Sequence, residues 1–247
     1  FTVHHDIQKY QEQCNIPFCR IMWSADHNIF KKYTNDYQYD LFFSGVIREE
    51  QTLNLRNKIY HNLDKLTNYK LLINASFFQN NKGKGKLYNF DVNEYAKKIN
   101  QSKIVLTTTG PADLVGTRYF EIMASNKALI FCNKMPEIVY GDILIDSFNR
   151  VMFDDEHDFV EKCKYYLSHE KERLKIVNQA YDSFLKKHTW YLSALLILHR
   201  SKSHTSTKPP FSQSVTSLQQ HFSLDGPPEV NLSSSEKGAS PSLAPSW

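Results

Sequence analysis

Three charged residues stand close together in TTTGPADLVGTRYFE, residues 107–121: Asp113, Arg118 and Glu121. An arginine offers a permanent charge and a forked set of donors suited to phosphate. A carboxylate accepts two hydrogen bonds from a vicinal diol, which is how acidic residues read a ribose. Glu121 sits among Phe120, Ile122 and Met123 on an amphipathic helix that opens at Gly116 and Thr117. The N-terminus of such a helix presents unpaired N–H groups and partial positive charge to an anion such as a diphosphate. Upstream, a strand ends at Thr107–Thr109, and Gly110 and Pro111 break the chain where backbone must come close to a ligand. Thr109, Gly110, Gly116, Thr117 and Arg118 thus form a candidate phosphate-binding turn, with Glu121 one turn further on. Read as residues alone, two alternatives stay open. Asp113 also suits an N-cap of the helix. Arg118 and Glu121 also suit an i,i+3 surface ion pair worth about a few tenths of a kcal/mol.

The elements that must position these residues alternate. DLFFSG (40–45), KLLINASFF (70–78), KIVLTTTG (103–110), ALIFCN (128–133) and NRVMF (149–153) read as strands by length and flanks. Between them lie a helical stretch over 49–66, a helix over 91–102 and the helix carrying Glu121. Two helices, 156–168 and 170–187, close the series. Strands alternating with helices predict right-handed crossovers, hence an α/β, Rossmann-like parallel sheet with helices on both faces. Ligands of such sheets bind outside the carboxyl ends of the strands, where residues 107–121 fall. From residue 201 to 247 the chain holds 13 serines and 6 of its 9 prolines. That composition predicts a disordered tail. Residues 1–20 read as a linker remnant and 21–200 as one domain.

Composition narrows the function. With 30 basic and 26 acidic residues, net +4 in 247, the charges are too balanced and too interspersed to indicate nucleic acid. Cys14, Cys19, Cys132 and Cys163 lack zinc spacing and read as reduced thiols. YLSALLIL, from Tyr191, is far short of the roughly 20 residues of a membrane span. No signal peptide is visible, although the chain opens with Phe1 rather than methionine. FDDEHD (153–158) has the acids of a metal site but lies where a helix starts, so Asp154 or Asp155 reads as an N-cap. KGKGK (82–86) lacks P-loop spacing and reads as a solvated turn. His188 reads as packing for the C-terminal helix.

DLFFSG, SKIVLTTTGPADLVGTRYFEIMASNKALIFCN and NRVMFDDEHDFVEKCKYYLSHEKERLKIVNQAY…HTW together resemble the C-terminal, donor-binding domain of GT-B glycosyltransferases, the CgeB-like subfamily in particular. RYFEIMASNKALI is the most specific part, and SADHNIF (24–30), with Asp26 and Phe30, resembles the hinge loop that leads into that domain. The resemblance implies a nucleotide-sugar-dependent, metal-independent hexosyl transferase with no cofactor, whose donor substrate is a nucleoside-diphosphate sugar. It implies Glu121 as the ribose ligand, Asp113 beside the donor sugar, Arg118 beside the diphosphate, and Gly45 ending the first strand beneath it. Asp113 and Arg118 are the implied catalytic residues. Two departures stand out: Asp113 is one methylene shorter than the family's glutamate, and Asn126-Lys127 replaces the small residue after the helix. The acceptor is unspecified, and its domain is expected upstream or in another chain. The chain alone is then an inactive donor-binding half. A non-catalytic nucleotide-binding module is the alternative.

Overall fold

The computed structural model describes residues 1–14, 18–48, 51, 54–79, 82–84, 90–110, 113–141 and 143–203. The expected tail therefore lies almost wholly outside the described residues. Six strands form one sheet: β1 (Tyr39–Arg48), β2 (Leu71–Gln79), β3 (Lys82–Lys84), β4 (Ser102–Leu106), β5 (Leu129–Asn133) and β6 (Val151–Phe153). Their order is β3-β2-β1-β4-β5-β6, and every neighbouring pair is parallel except β2 with β3. The strand at Lys82–Lys84 corrects the expectation of a plain turn in KGKGK. It is a short antiparallel edge strand on an otherwise parallel sheet.

The central strands read as near-continuous apolar runs because helices cover both faces. Successive side chains alternate between two cores. Phe42, Val105 and Ile130 face one core, with α3 (Val92–Asn100) and α4 (Thr117–Ser125). Leu41, Phe43, Ile104, Leu106, Leu129 and Phe131 face the other, with α2 (Leu55–His61) and α6 (Glu156–Ser168). The long α7 (Glu170–Lys187) serves both, burying Ala180 and Phe184 on one side and Ile176 and Val177 on the other. Three further helices carry no counterpart in the sequence reading: α1 (Ile7–Cys14), α5 (Glu137–Tyr140) and α8 (Trp190–Ser203). No helix among the described residues is long and apolar enough to cross a membrane.

Local signals place the helices. Asn54 caps α2 by accepting from the Arg56 amide, and Asp91 and Glu94 form a capping box on α3. Asp155 caps α6, accepting from the amides of His157 and Asp158 at 2.9 Å each. The turn after α4 is made by Asn126 in the left-handed region, φ 47°, a conformation asparagine tolerates better than most residues. Lys127 is then buried: its ammonium lies 3.6 Å from the centre of the Tyr37 ring and donates to the Asn35 carbonyl at 2.7 Å. The departure at Asn126-Lys127 is thus accommodated by an αL residue and a cation–π clasp. The hinge-like SADHNIF segment joins the end of α7, through a bridge between Ala25 and Thr189. His188 packs on Phe120 with ring centres 4.7 Å apart, the packing role expected of it.

Candidate functional site

The chain runs β1, β2, β3 toward one edge of the sheet, then returns to build β4, β5 and β6 toward the other. The reversal falls between β1 and β4, and a doubly wound sheet opens its ligand crevice at such a switch point. Thr107–Gly110 follow β4 directly, at the carboxyl end of a strand that borders this switch point.

α4 begins with Gly116 as N-cap, φ −86° and ψ 177°, with no side chain bonded to the helix amides. A Cβ built on Gly116 would have no atom within 4 Å, so the helix start is not crowded at its N-cap. Asp113 is therefore not the N-cap. It stands three residues earlier, exposed, with φ 55°, a left-handed conformation that costs a non-glycine residue energy and recurs at ligand sites.

Arg118 does not pair with Glu121. Among the described residues no ion pair joins them. The guanidinium instead donates to the Ser44 carbonyl of β1 and lies 5.6 Å from the centre of the Tyr95 ring. Glu121 is half-buried, and burial holds its carboxyl above the ordinary carboxylate range; the Thr117 hydroxyl and the Arg118 charge pull the other way and only partly offset it. Burial also lifts the Tyr95 phenol to about 12.

Beside the start of α2, where Asn54, Leu55 and Arg56 line it, a cavity of about 710 Å³ opens at the strand ends. Thr109, Gly110 and Asp113 line it, as the sequence reading would place them. Gly45, Gly116, Thr117, Arg118 and Glu121 do not. Gly45 also fails to end a strand: β1 continues to Arg48, and a Cβ at Gly45 would come within 3.1 Å of the Phe43 ring and 3.8 Å of the Arg56 guanidinium.

The residue the sequence reading missed is Arg56, on the first turn of α2. Its Nε donates to the Thr108 hydroxyl at 3.0 Å, a second nitrogen reaches the same oxygen, and a third donates to the Val46 carbonyl at 3.2 Å. Burial lowers its pKa, and the nearby Arg118 charge lowers it further. No carboxylate lies within ion-pair distance of either arginine among the described residues. Two cations held close with no counter-ion among the described residues have charge to offer an anion. Nothing in the spacing of Arg56 signals this, because Thr108 is 52 positions away.

Candidates elsewhere have structural partners. Asp154 pairs with Lys134 at 2.8 Å, Asp155 caps α6 and Asp158 pairs with Lys162 at 2.7 Å. His4, His5 and Asp6 bring three metal-ligating groups within 4.8 Å of one another. The His4 Nδ1, however, already accepts the Asp6 amide at 3.1 Å, which makes the group a hydrogen-bonded turn ahead of α1.

Comparison with known proteins agrees with this geometry. A glycosyl transferase-like family model matches residues 51–197, more than half of the chain. Among solved structures, a glycosyltransferase from Rickettsia africae ESF-5 has a TM-score of 0.57 at 10% identity, over 83% of this chain and 63% of its own. Sucrose-phosphate synthase from Thermosynechococcus elongatus has 0.55 at 10%, over 81% and 57%. Anabaena HepE in complex with UDP-glucose has 0.52 at 11%, over 75% and 57%. At these identities the likeness shows the fold alone, and the chain spans only 57% to 63% of these three proteins. No curated protein matches.

Proposed function

The chain belongs to the glycosyl transferase-like family, and on that premise we propose that it is the donor-binding half of a nucleotide-sugar-dependent GT-B glycosyltransferase of CgeB-like type. The observation that carries this reading is the Arg56–Arg118 pair: two guanidinium groups near the switch point, both bonded to neutral oxygens, with no carboxylate in ion-pair distance of either among the described residues. A diphosphate supplies the missing counter-charge.

Around that anchor the rest of a nucleotide sugar has places to go. The open first turn of α4 adds amide donors to the diphosphate. Glu121, a turn below, accepts the ribose hydroxyls. The sugar enters the cavity beside Thr109, Gly110 and Asp113. In the transfer step an acceptor oxygen bonds to the anomeric carbon and gives up its proton, the bond between that carbon and the diphosphate breaks, and negative charge builds on the leaving oxygen. On this reading Arg56, Arg118 and the helix N-terminus stabilise that charge, which is where fixed donors lower a barrier most. Asp113 holds the sugar hydroxyls. No metal is needed for this charge compensation, and the transferred group is a hexosyl. That HepE was solved with UDP-glucose supports the same ligand class here. The acceptor belongs on a second domain, supplied upstream or by another chain, so the chain by itself binds donor without transferring it.

A thermal-shift panel tests the reading: UDP, GDP and ADP, each beside UDP-glucose, GDP-mannose and ADP-glucose. A ligand at 100 times its Kd adds about 2.7 kcal/mol of stability. One base should raise the melting temperature clearly above the others. A flat panel overturns the proposal.

A further inference from the structure

Asn133 ends β5 with its side chain nearly buried, 8% exposed, at the wall of the cavity. Its amide is spent on a single neighbour. Oδ1 accepts the Thr109 backbone N–H at 2.9 Å and Nδ2 donates to the Thr109 hydroxyl at 3.2 Å. β4 has ended at Leu106 and backbone pairing with β5 stops with Thr107 donating to the Phe131 carbonyl. Beyond that point the Thr108–Gly110 rim has no ladder to hold it, and the Asn133 amide takes the place of the next rung.

Asn133 is itself braced from below. Its carbonyl accepts the Tyr140 hydroxyl of α5. The Tyr140 ring carries the Arg150 guanidinium 3.5 Å from its centre. Arg150 is only 3% exposed, and its guanidinium donates to the Cys132 sulfur at 3.8 Å. Among the described residues it has no carboxylate partner. A buried cation lacking an acid is costly unless its surroundings use it. Here it presses one aromatic ring against the strand end that holds the rim.

We infer that Asn133 is a positioning residue for the sugar portion of the donor: its bidentate clasp on Thr109 sets the rim against which the hexosyl group is held. This rests on the donor-binding reading above. Thr109 and Gly110 share the cavity wall with Asp113 and with Arg56, a diphosphate ligand bonded to Thr108 and Val46 rather than to the Asn133 clasp, whereas Arg118 and Glu121 lie outside that wall. Loosening the clasp should therefore cost the sugar and spare the nucleotide.

The test compares two ligands on each protein, using the nucleotide and nucleotide-sugar pair that the panel identifies, with Kd measured by calorimetry on the full chain. In Asn133→Ala the nucleotide sugar should weaken about tenfold, the worth of one or two hydrogen bonds, while the plain nucleoside diphosphate changes less than about twofold. Thr109→Val removes the hydroxyl from the other side of the clasp and leaves Asn133 in place. It should show the same selective loss to a smaller degree, and the double variant should add little beyond Asn133→Ala alone. Thr109→Ser, which keeps the hydroxyl, should restore sugar affinity. Equal losses for both ligands would make Asn133 merely structural and overturn the inference, as would unchanged affinities with only a lower melting temperature. If Asn133→Ala does not fold, Thr109→Val and Thr109→Ser decide. A wild-type chain that binds neither ligand removes the donor-binding reading and this inference with it; a wild-type chain that binds both, with indifferent variants, removes only the inference.

Discussion

Glu121 and the two arginines divide the proposed ligand between them, and each can be probed by one atom or one charge. Glu121→Gln keeps the shape of the side chain and removes its charge. Nucleotide affinity should fall by about 1 to 3 kcal/mol with little change in melting temperature. An early-melting variant that binds normally would make Glu121 structural. The pH dependence follows from burial, which holds the Glu121 carboxyl above its unfolded value. The stability this residue contributes to the empty protein is fully present below the unfolded pKa and is lost as pH rises through the folded one. Donor affinity runs the other way, because the ribose diol needs the ionised carboxylate: it should weaken as pH falls through the raised pKa. Both slopes should flatten in Glu121→Gln, measured by calorimetry across the acid range. Arg56→Ala and Arg118→Ala should each weaken a nucleoside diphosphate by about 1.5 to 3 kcal/mol and leave the matching nucleoside nearly untouched. An equal effect on nucleoside and diphosphate would remove the arginines from the phosphate. The shared helix of Arg118 and Glu121 was legible in the sequence, because its start and spacing are local. Arg56 was not, because its role depends on Thr108 lying beside it.

At the scale of elements, α4 carries two of the proposed ligand residues, Arg118 and Glu121, and its two ends are built differently. Its N-terminus is left open by Gly116, and its C-terminus is closed by Asn126 in the αL region. The Asn126 side-chain oxygen is buried without a hydrogen-bond partner, so the residue is there for its backbone. Asn126→Gly should therefore be neutral or stabilising, whereas Asn126→Ala should cost roughly 1 kcal/mol from the left-handed φ. Chemical denaturation of the three proteins checks the order; alanine as stable as glycine would show that φ is not what matters. The strands β1, β4 and β5 were readable because strands covered on both faces need unbroken apolar runs. The edge strand β3 was not, since KGK has no apolar pattern and forms a strand only by pairing back onto β2. Nor was α5, whose four residues are too few for a helical period to show.

For the whole molecule, the proposed site compensates phosphate charge with protein cations alone. The acidic cluster that most resembles a metal site is committed elsewhere, Asp154 to Lys134, Asp155 to the α6 amides and Asp158 to Lys162. Nucleotide affinity of this chain should be unchanged by a chelator and unchanged by added manganese. A loss in chelator that manganese restores would contradict the proposed charge compensation.

The amino-acid sequence by itself determined the α/β class, the strand–helix alternation, and the place of residues 107–121 at a strand end followed by a helix start. Those properties are set by burial periods, caps and chain breaks within a dozen residues. Only the tertiary structure decided that the reversal of strand order falls between β1 and β4, and every missed feature of the site follows from it. Parallel pairing there sets Thr108 against Arg56 and draws Arg118 onto Ser44, 74 positions away. The next pairing, β4 with β5, brings the Thr109 amide within reach of the Asn133 side chain. Such contacts join residues whose own surroundings in the chain carry no trace of one another, so no local pattern encodes them. The sheet order creates them when the chain folds.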